Sequence, residues 1–241
     1  MNDDKPFIEA ILADPQDEAP RLIYADWLEE RGDPRGEFLR IEVALANLDR
    51  GDARRPGLRG LRGRFQQLGG EIDQEWRALV DRSRIEGCVQ FDFECPKQWE
   101  QLQRTADPLA RFCETCQLHV YHCSSVQQAQ RHAARGHCVA VETSLVRKKG
   151  DLKPSDFYGY SRRSREGEAM MTLGIVLPPA PTYHVGDRVE VRQGKHRGRE
   201  GTVEEVRMSL LRATVRIDGE PAPIEVDFDE LSYVFRRERR R

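Results

Sequence analysis

The first fifty residues place apolar side chains at intervals of three and four, the spacing that puts them on one face of a helix. Three such stripes begin at Phe7, Leu22 and Phe38. Polar breaks at residues 14–17 and 32–34 separate these stripes. Both breaks contain proline, which cannot continue a helix, and the second also contains glycine, which suits the residue after a helix. The pattern predicts three helices within residues 6–48 and a further helix over residues 58–83.

From residue 183 onward, apolar and polar residues alternate instead, as they do in half-buried strands. Turn signals such as Asp218-Gly219 separate the alternating segments. The five segments are residues 187–191, 201–206, 213–217, 224–228 and 231–234. Five short strands in about fifty residues predict a small β-barrel of the SH3 type.

The middle of the chain mixes both patterns. Three strands are predicted, at residues 89–93, 118–122 and 138–141. A helix over residues 126–134 lies between the last two, with Ser124 or Ser125 as its N-cap and Gly136 as its end. The expected order after residue 117 is therefore strand, helix, strand.

These changes of pattern predict a multi-domain α+β protein. With 241 residues, 38% of them hydrophobic and 33% charged, the chain suits two or three small domains joined by polar segments. The predicted units are a helical module (1–86), a zinc-stapled α+β module (87–144), a basic, proline-rich linker with little fixed structure (145–181), an SH3-like barrel (182–235) and a basic tail (236–241).

Charge and targeting signals narrow the function classes only slightly. The net charge of −2 argues neither for nor against nucleic acid, although residues 145–165 and the tail are basic. The first six residues are polar, and no apolar run approaches about 18 residues, so we predict neither a signal peptide nor a membrane span. A cytoplasmic location is expected, in which thiols stay reduced and clustered cysteines favour metal over disulfides.

Five cysteines between residues 95 and 138 carry the most specific chemistry. Cys113-Glu-Thr-Cys116 has the spacing of a metal knuckle. A strand followed by a returning helix carries Cys123 away from this knuckle and brings Cys138 back beside it. Cys95, predicted at the end of a strand, finishes at the same place. The predicted ligands of a structural zinc ion are Cys95, Cys113, Cys116 and Cys138, with Cys123 as the alternate.

Two other interpretations of the cysteines stay open. Cysteine is a good small core residue, so the thiols could simply be packed. A redox Cys-x-x-Cys pair normally opens a helix, whereas a strand pattern follows here. The reserve ligands are His119, His122 and His137. Four thiolates would close the metal shell, so the ion would stabilise the fold without activating water.

Residues 10–15 (AILADP) and 19–38 (APRLIYADWLEERGDPRGEF) resemble the bacterial repeat-companion domain, a short module found beside leucine-rich repeats and kinases. The resemblance implies a helical fold and brings no biochemical activity. The polar and aromatic candidates in this stretch are Tyr24, Asp26, Trp27, Arg31 and Asp33. We interpret Trp27 as a core residue and the charged residues as helix caps.

The cysteine segment is similar to an uncharacterised bacterial zinc-ribbon-like module. The similarity rests on Cys95-Pro96, Trp99, Asp107-Pro108, Arg111-Phe112-Cys113, Cys116, Val120-Tyr121, Cys123, Gly136 and Cys138-Val139-Ala140. All five cysteines belong to the pattern, so the resemblance does not choose the fourth ligand and implies no activity.

Residues 185–191, with Gly194, Arg197-Gly198 and Gly201-Thr202-Val203, resemble a KOW motif, and residues 223–228 resemble the closing strands of the bacterial NusG C-terminal domain. This resemblance implies contact with RNA or with ribosomal and transcription proteins. The candidate binding residues are Arg192, Lys195, Arg197 and Arg199, with His196 among them. The alternative is an ordinary mixed surface, since Glu190, Glu200, Glu204 and Glu205 flank these cations. Tyr183 and Phe235 are expected to be exposed, and Phe228 and Tyr233 to be core residues.

Together these features predict a non-enzymatic cytoplasmic adaptor, with a structural zinc ion and a KOW-like barrel that binds an unspecified protein or RNA. The alternative is a direct RNA- or ribosome-binding factor. An enzyme is a third hypothesis, but no His-Glu-x-x-His or nucleophile pattern accompanies the histidines. The sequence alone does not predict an oligomeric state.

Overall fold

The computed structural model describes residues 3–48, 57–88, 93–157 and 180–234. The chain forms two compact units, Met1–Met170 and Met171–Arg241. The predicted division between residues 86 and 87 falls inside the first unit. Within the described ranges, no helix has the length and apolar character needed to cross a membrane.

The first unit begins with five helices, and the three predicted within residues 6–48 are confirmed. The helices are α1 (Lys5–Ala13), α2 (Ala19–Glu29), α3 (Pro34–Leu48), α4 (Leu58–Glu71) and α5 (Gln74–Val80). The single helix predicted over residues 58–83 was wrong. Asp73 leaves the helical conformation and accepts a hydrogen bond from the Trp76 amide at 2.9 Å, so it caps α5 as a separate helix.

Aromatic side chains dominate the core of these helices. The rings of Phe7 and Tyr24 stack with centroids 5.2 Å apart, and Tyr24 also lies against Trp76. Trp27, predicted as a core residue, is half-buried: it packs against the core cluster, and the Arg31 guanidinium covers its ring at 3.8 Å. Asp33 caps as predicted by accepting from the Arg35 amide, but Asp26 forms an ion pair with Arg40.

A six-stranded sheet follows the helices in the same unit. Its strands are β1 (Arg84–Cys88), β2 (Phe93–Gln98), β3 (Gln103–Arg104), β4 (Ala110–Cys113), β5 (Leu118–Cys123) and β6 (Cys138–Val141), in the order β2-β1-β6-β5-β4-β3. Only β5 and β6 pair in parallel, and helix α6 (Val126–Ala133) connects them. The predicted strand–helix–strand order is confirmed. Of the strand predicted at residues 89–93, only Phe93 lies within the described residues.

The start of the predicted linker is packed. Leu152 and Phe157 are 5% and 4% exposed, and they join the small core formed by α6 and β6. Arg147 also forms ion pairs with Glu86 and Asp151, so residues 145–157 have a defined structure, contrary to the expectation of little fixed structure. The rest of the predicted linker up to residue 179, including the pairing considered around residues 173–177, lies outside the described residues.

The second unit contains the five predicted strands. They are β7 (Arg188–Val191), β8 (Glu200–Arg207), β9 (Arg212–Ile217), β10 (Ile224–Asp227) and β11 (Leu231–Tyr233), in the antiparallel order β10-β9-β8-β7-β11. Phe228 is buried as predicted. The prediction that Tyr183 is exposed was wrong: its ring is fully buried against Phe228, and its hydroxyl donates to the Leu231 carbonyl at 2.7 Å. Phe235 lies outside the described residues.

Helix α4 offers a matched pair of glycine variants. An alanine Cβ at Gly60 would meet no atom within 4 Å, and its φ is not positive, so Gly60→Ala should stabilise the first unit by about 0.5–1 kcal/mol. Gly57, just before the helix, has φ +96°, and Gly57→Ala should destabilise by about 1–2 kcal/mol. Urea unfolding followed by circular dichroism measures both, and shifts of the same sign would contradict the argument.

Candidate functional site

The loop between β7 and β8 is held in one conformation by its own backbone. The Gly198 amide donates to the Val191 carbonyl at 2.7 Å, and the Arg199 amide donates to the His196 carbonyl at 3.0 Å. Gly194 and Gly198 have φ values of +74° and +79°, which side chains other than glycine rarely adopt. The tight turns therefore present the residues between them at fixed positions.

Three cationic side chains in this loop are exposed to solvent and form no ion pair within the described residues. Arg192, Lys195 and Arg197 make no side-chain hydrogen bond or ion pair with any described residue. His196, between the last two, is half-buried. Arg199, the fourth predicted binding residue, is engaged instead: it pairs with Glu220 at 3.3 Å and donates to the Asp218 carbonyl at 2.8 Å.

Other arginines of the same unit are neutralised by carboxylates. Arg188 pairs with Glu200 and Asp218, Arg212 with Glu225 and Asp227, and Arg216 with Glu204. Two of the four glutamates expected to flank the basic loop, Glu200 and Glu204, are thus committed to strand arginines. The positive charge that stays available in the described part of this unit is concentrated in the β7–β8 loop.

Aromatic stacking contributes little to this surface. Tyr183 and Phe228 are buried, and the Tyr233 hydroxyl is held by the Thr182 carbonyl at 2.6 Å. Bases normally stack on exposed rings, so contact with nucleic acid here would depend mainly on phosphates.

A second cluster lies in the first unit, where the sheet brings cysteines to one end. Strand β1 ends at Cys88, β4 ends at Cys113, and β6 begins at Cys138. Because β2, β5 and β6 run antiparallel to β1 and β4, the start of β2 and the turn before β5 lie at this same end. The thiol cluster consists of Cys88, Cys95, Cys113, Cys116 and Cys138.

Backbone amides point at three of these sulfurs. The amides of Thr115 and Cys116 lie near the Cys113 sulfur and favour its thiolate. The Lys97 amide acts in the same direction on Cys95, and the Leu118 amide on Cys116. Burial alone would raise the pKa of Cys113, but these hydrogen bonds lower it below its usual value. Of these three sulfurs only Cys113 is favoured as a thiolate, because burial raises the pKa values of Cys95 and Cys116 despite the neighbouring amides.

The remaining two sulfurs lie side by side. Cys88 is hydrogen-bonded to both Cys95 and Cys138. The Cys138 thiol also approaches the Gly87 carbonyl at 3.5 Å. Its hydrogen bond to Cys88, together with burial, raises the pKa of Cys138. Burial and the hydrogen bond to Cys113 likewise raise the pKa of Cys116 to about 12.

The other predicted ligands lie elsewhere. Cys123 ends β5 at the opposite end of the sheet, is fully buried, and packs against Ala129 and Ala133 of α6. His122 is hydrogen-bonded to Asp81, and His137 lies tilted against Tyr121 and contacts His132. Burial lowers the pKa of His137 to about 4. In the described ranges, no group of three or more His, Cys, Asp or Glu side chains is arranged, as it stands, to hold a metal ion.

Sequence reasoning placed four of the five cluster residues together and missed Cys88. The missing signal was strand β1, whose apolar positions Ile85 and Cys88 are separated by Glu86 and Gly87 and give no clear alternation. With β1 predicted, the hairpin to β2 would have placed Cys88 opposite Phe93 and near Cys95.

Comparison with known protein families supports the resemblance of the second unit to a KOW motif. Residues 185–217 match the family model of the KOW motif. KOW motifs are common in RNA- and ribosome-associated proteins. The match covers β7 to β9 with the basic loop, well under half of the chain. The repeat-companion and zinc-ribbon resemblances are not supported by a family match. A search of curated proteins finds no match to the chain.

Proposed function

We propose that the chain binds RNA directly through the β7–β8 loop of its KOW unit, as a non-catalytic binding function. The observation that carries the proposal is the charge distribution: Arg192, Lys195 and Arg197 are exposed and unpaired within the described residues, whereas strand arginines of the unit are paired. A KOW motif spans the same residues.

Phosphate contact follows from the chemistry of this loop. Lysine and arginine neutralise phosphates and release the counterions condensed on the nucleic acid, which drives binding at low salt. An arginine already paired with a carboxylate gains less, because the existing ion pair must first be broken. With no described aromatic platform on this surface, we expect binding to depend weakly on RNA sequence.

The test replaces Arg192, Lys195 and Arg197 together by glutamine and measures binding to a fluorescently labelled single-stranded RNA by anisotropy over a KCl series. Losing three phosphate contacts should reduce the slope of log K against log salt by about 2. The matched control replaces the paired Arg188, Arg212 and Arg216 by glutamine, which removes the same formal charge. Both variants keep the basic tail, so the difference between them reports on the loop.

The outcomes separate RNA binding from an adaptor that binds protein. A steep salt dependence that is reduced only in the loop variant supports the proposal. Wild-type protein that fails to bind RNA even at low salt would refute it and favour a protein partner. Equal losses of RNA affinity in the two triple variants would also refute it. The effect would then depend on how many charges are removed and not on where they lie.

A further inference from the structure

We propose that the first unit binds a small organic anion in a cavity between α3, α4 and the start of β1, with Arg82 as the buried anchor of the negative group. The cavity has a volume of about 530 Å³, within the range of about 300–1,000 Å³ that small-molecule sites occupy. The residues of its lining that matter here are Leu45, Phe65, Arg82, Arg84, Leu145 and Val146. None of them lies in the KOW segment, so the site is independent of the proposed RNA interface.

The observation that carries the proposal is an unsatisfied donor on Arg82. This side chain is only 10% exposed, and its Nε donates to Glu42 at 2.9 Å. Its Nη2 is buried and has no hydrogen-bond partner among the described residues. A buried charged donor without an acceptor costs free energy, so proteins normally satisfy such groups. Because Arg82 lines the cavity, an anion bound there would supply the acceptor.

The charge around this donor is incompletely balanced. Arg21 and Arg82 share one carboxylate, that of Glu42, and neither forms an ion pair with another described carboxylate. Glu100 is bonded to Gln16 of the cavity wall at 2.7 Å, but burial raises the pKa of Glu100, so its carboxyl offsets less of the excess positive charge. A negatively charged ligand therefore gains more from this cavity than a neutral one does.

The chain places a second arginine beside the first. Ser83 is buried and its hydroxyl donates to Asp81, whereas Arg82 and Arg84 on either side of it both line the cavity, as alternate residues of an extended chain do. Arg84 is exposed and makes no side-chain hydrogen bond or ion pair with any described residue. It is available for a bound carboxylate or phosphate, which guanidinium groups bind through paired hydrogen bonds.

The apolar part of the lining indicates that the ligand has an organic body. Leu45 of α3 and Phe65 of α4 contribute to this part, together with Leu145 and Val146 after β6. Val146 is 59% exposed, which is unusual for a large hydrophobic side chain in this protein. An inorganic anion would leave these side chains uncovered, whereas a ring or short hydrocarbon chain would bury them. The expected ligand is thus an oxyanion group attached to an apolar body.

The test titrates the full chain by isothermal titration calorimetry. Phenyl phosphate and phenylacetate combine a ring with a phosphate or a carboxylate, inorganic phosphate supplies charge alone, and benzyl alcohol supplies the ring alone. At least one of the two ring-bearing anions should bind once per chain with the millimolar affinity typical of such small ligands. Its binding should be at least about tenfold tighter than that of either simpler probe, because both parts of the cavity are used. The tighter of the two anions identifies the head group.

Substitutions test the role of the arginines. Arg84→Gln should weaken binding of the ring-bearing anion by about 5- to 10-fold, and Arg82→Gln by about tenfold or more, because the buried donor is less screened by water. Arg104→Gln is the matched control: Arg104 is exposed in the same unit, makes no described side-chain bond and does not line the cavity, so affinity should be unchanged. If Arg82→Gln does not fold, the guanidinium resonances of Arg82 in the wild-type protein decide, since the probe should shift them.

Three results would overturn the proposal. The first is that neither ring-bearing anion binds at millimolar concentration. The second is that inorganic phosphate binds as tightly as phenyl phosphate, which would make the arginines a cationic surface without a cavity for an organic ligand. The third is an equal loss of affinity in Arg84→Gln and Arg104→Gln. The triple variant of the β7–β8 loop should bind the probes as the wild type does, so the RNA proposal stands or falls by its own test.

Discussion

Replacing Glu42 by glutamine should lower the free energy of unfolding of the first unit by about 3–5 kcal/mol, because it leaves a buried cation without its partner. Glu42 accepts from Arg21 at 2.9 Å and from Arg82 at 2.9 Å. The Arg21 side chain is 1% exposed, so water cannot replace the lost carboxylate. The same guanidinium donates to the Val80 carbonyl at 2.7 Å, and that bond alone does not compensate the charge.

The direction of the Arg21 pKa supports this expectation. Burial lowers the pKa of Arg21, and the Glu42 carboxylate offsets part of that penalty. Glutamine keeps the shape and one acceptor oxygen but removes the negative charge. The loss of stability should therefore exceed that caused by removing an ordinary hydrogen bond. The substitution should also weaken the contact of α2 and α3 with the segment at Arg82 that leads into β1.

Urea unfolding at neutral pH measures the loss, and Glu29→Gln is the matched control. Glu29 also pairs with an arginine, Arg40, at 2.7 Å, but both side chains are about 40% exposed. Solvent screens such a pair, so the control should lose about 0–1 kcal/mol. A loss of similar size in the two variants would contradict the claim that burial sets the effect.

Much of the fold follows from local pattern, and the exceptions have physical reasons. The spacing of apolar residues along the sequence predicted α1 to α3 and the strands of the second unit. Periodicity cannot show that Arg21 and Glu42, polar residues on predicted helices, are buried against each other, because burial of a pair depends on how the helices dock. The break in the helix predicted over residues 58–83 likewise depends on one capping aspartate.

The candidate sites were predicted only where spacing along the chain carries the information. The Cys113-Cys116 knuckle and the basic loop are local, so the sequence located both. The commitment of Arg199 to Glu220 and the burial of Tyr183 depend on contacts between distant residues. Cys88 joins the thiol cluster only because β1 pairs with both β2 and β6, a register that no local pattern encodes.

Replacing Asp81 by asparagine should lower the free energy of unfolding by about 3 kcal/mol, because three donors converge on one buried carboxylate. His122 Nε2 lies 2.8 Å from Asp81, Thr143 donates to it at 2.7 Å, and the Ser83 hydroxyl donates as well. Asparagine offers one acceptor oxygen and brings an NH₂ group among these donors.

Asp73→Asn is the control: asparagine caps a helix as well as aspartate does, so α5 should lose only a few tenths of a kcal/mol.

The same carboxylate predicts a pH dependence with a definite sign. Burial would raise the pKa of Asp81, but the hydrogen bonds from His122, Ser83 and Thr143 outweigh burial and hold that pKa below its ordinary value. A carboxyl with a lowered folded pKa contributes stability above the pKa of the unfolded chain, and this contribution is lost as the pH falls toward the folded pKa. The difference in unfolding free energy between wild type and Asp81→Asn should therefore be full at pH 7 and shrink below about pH 4. Urea unfolding at a series of pH values measures it. A difference that stays constant through the acid range would mean that the Asp81 charge is not what the three donors stabilise.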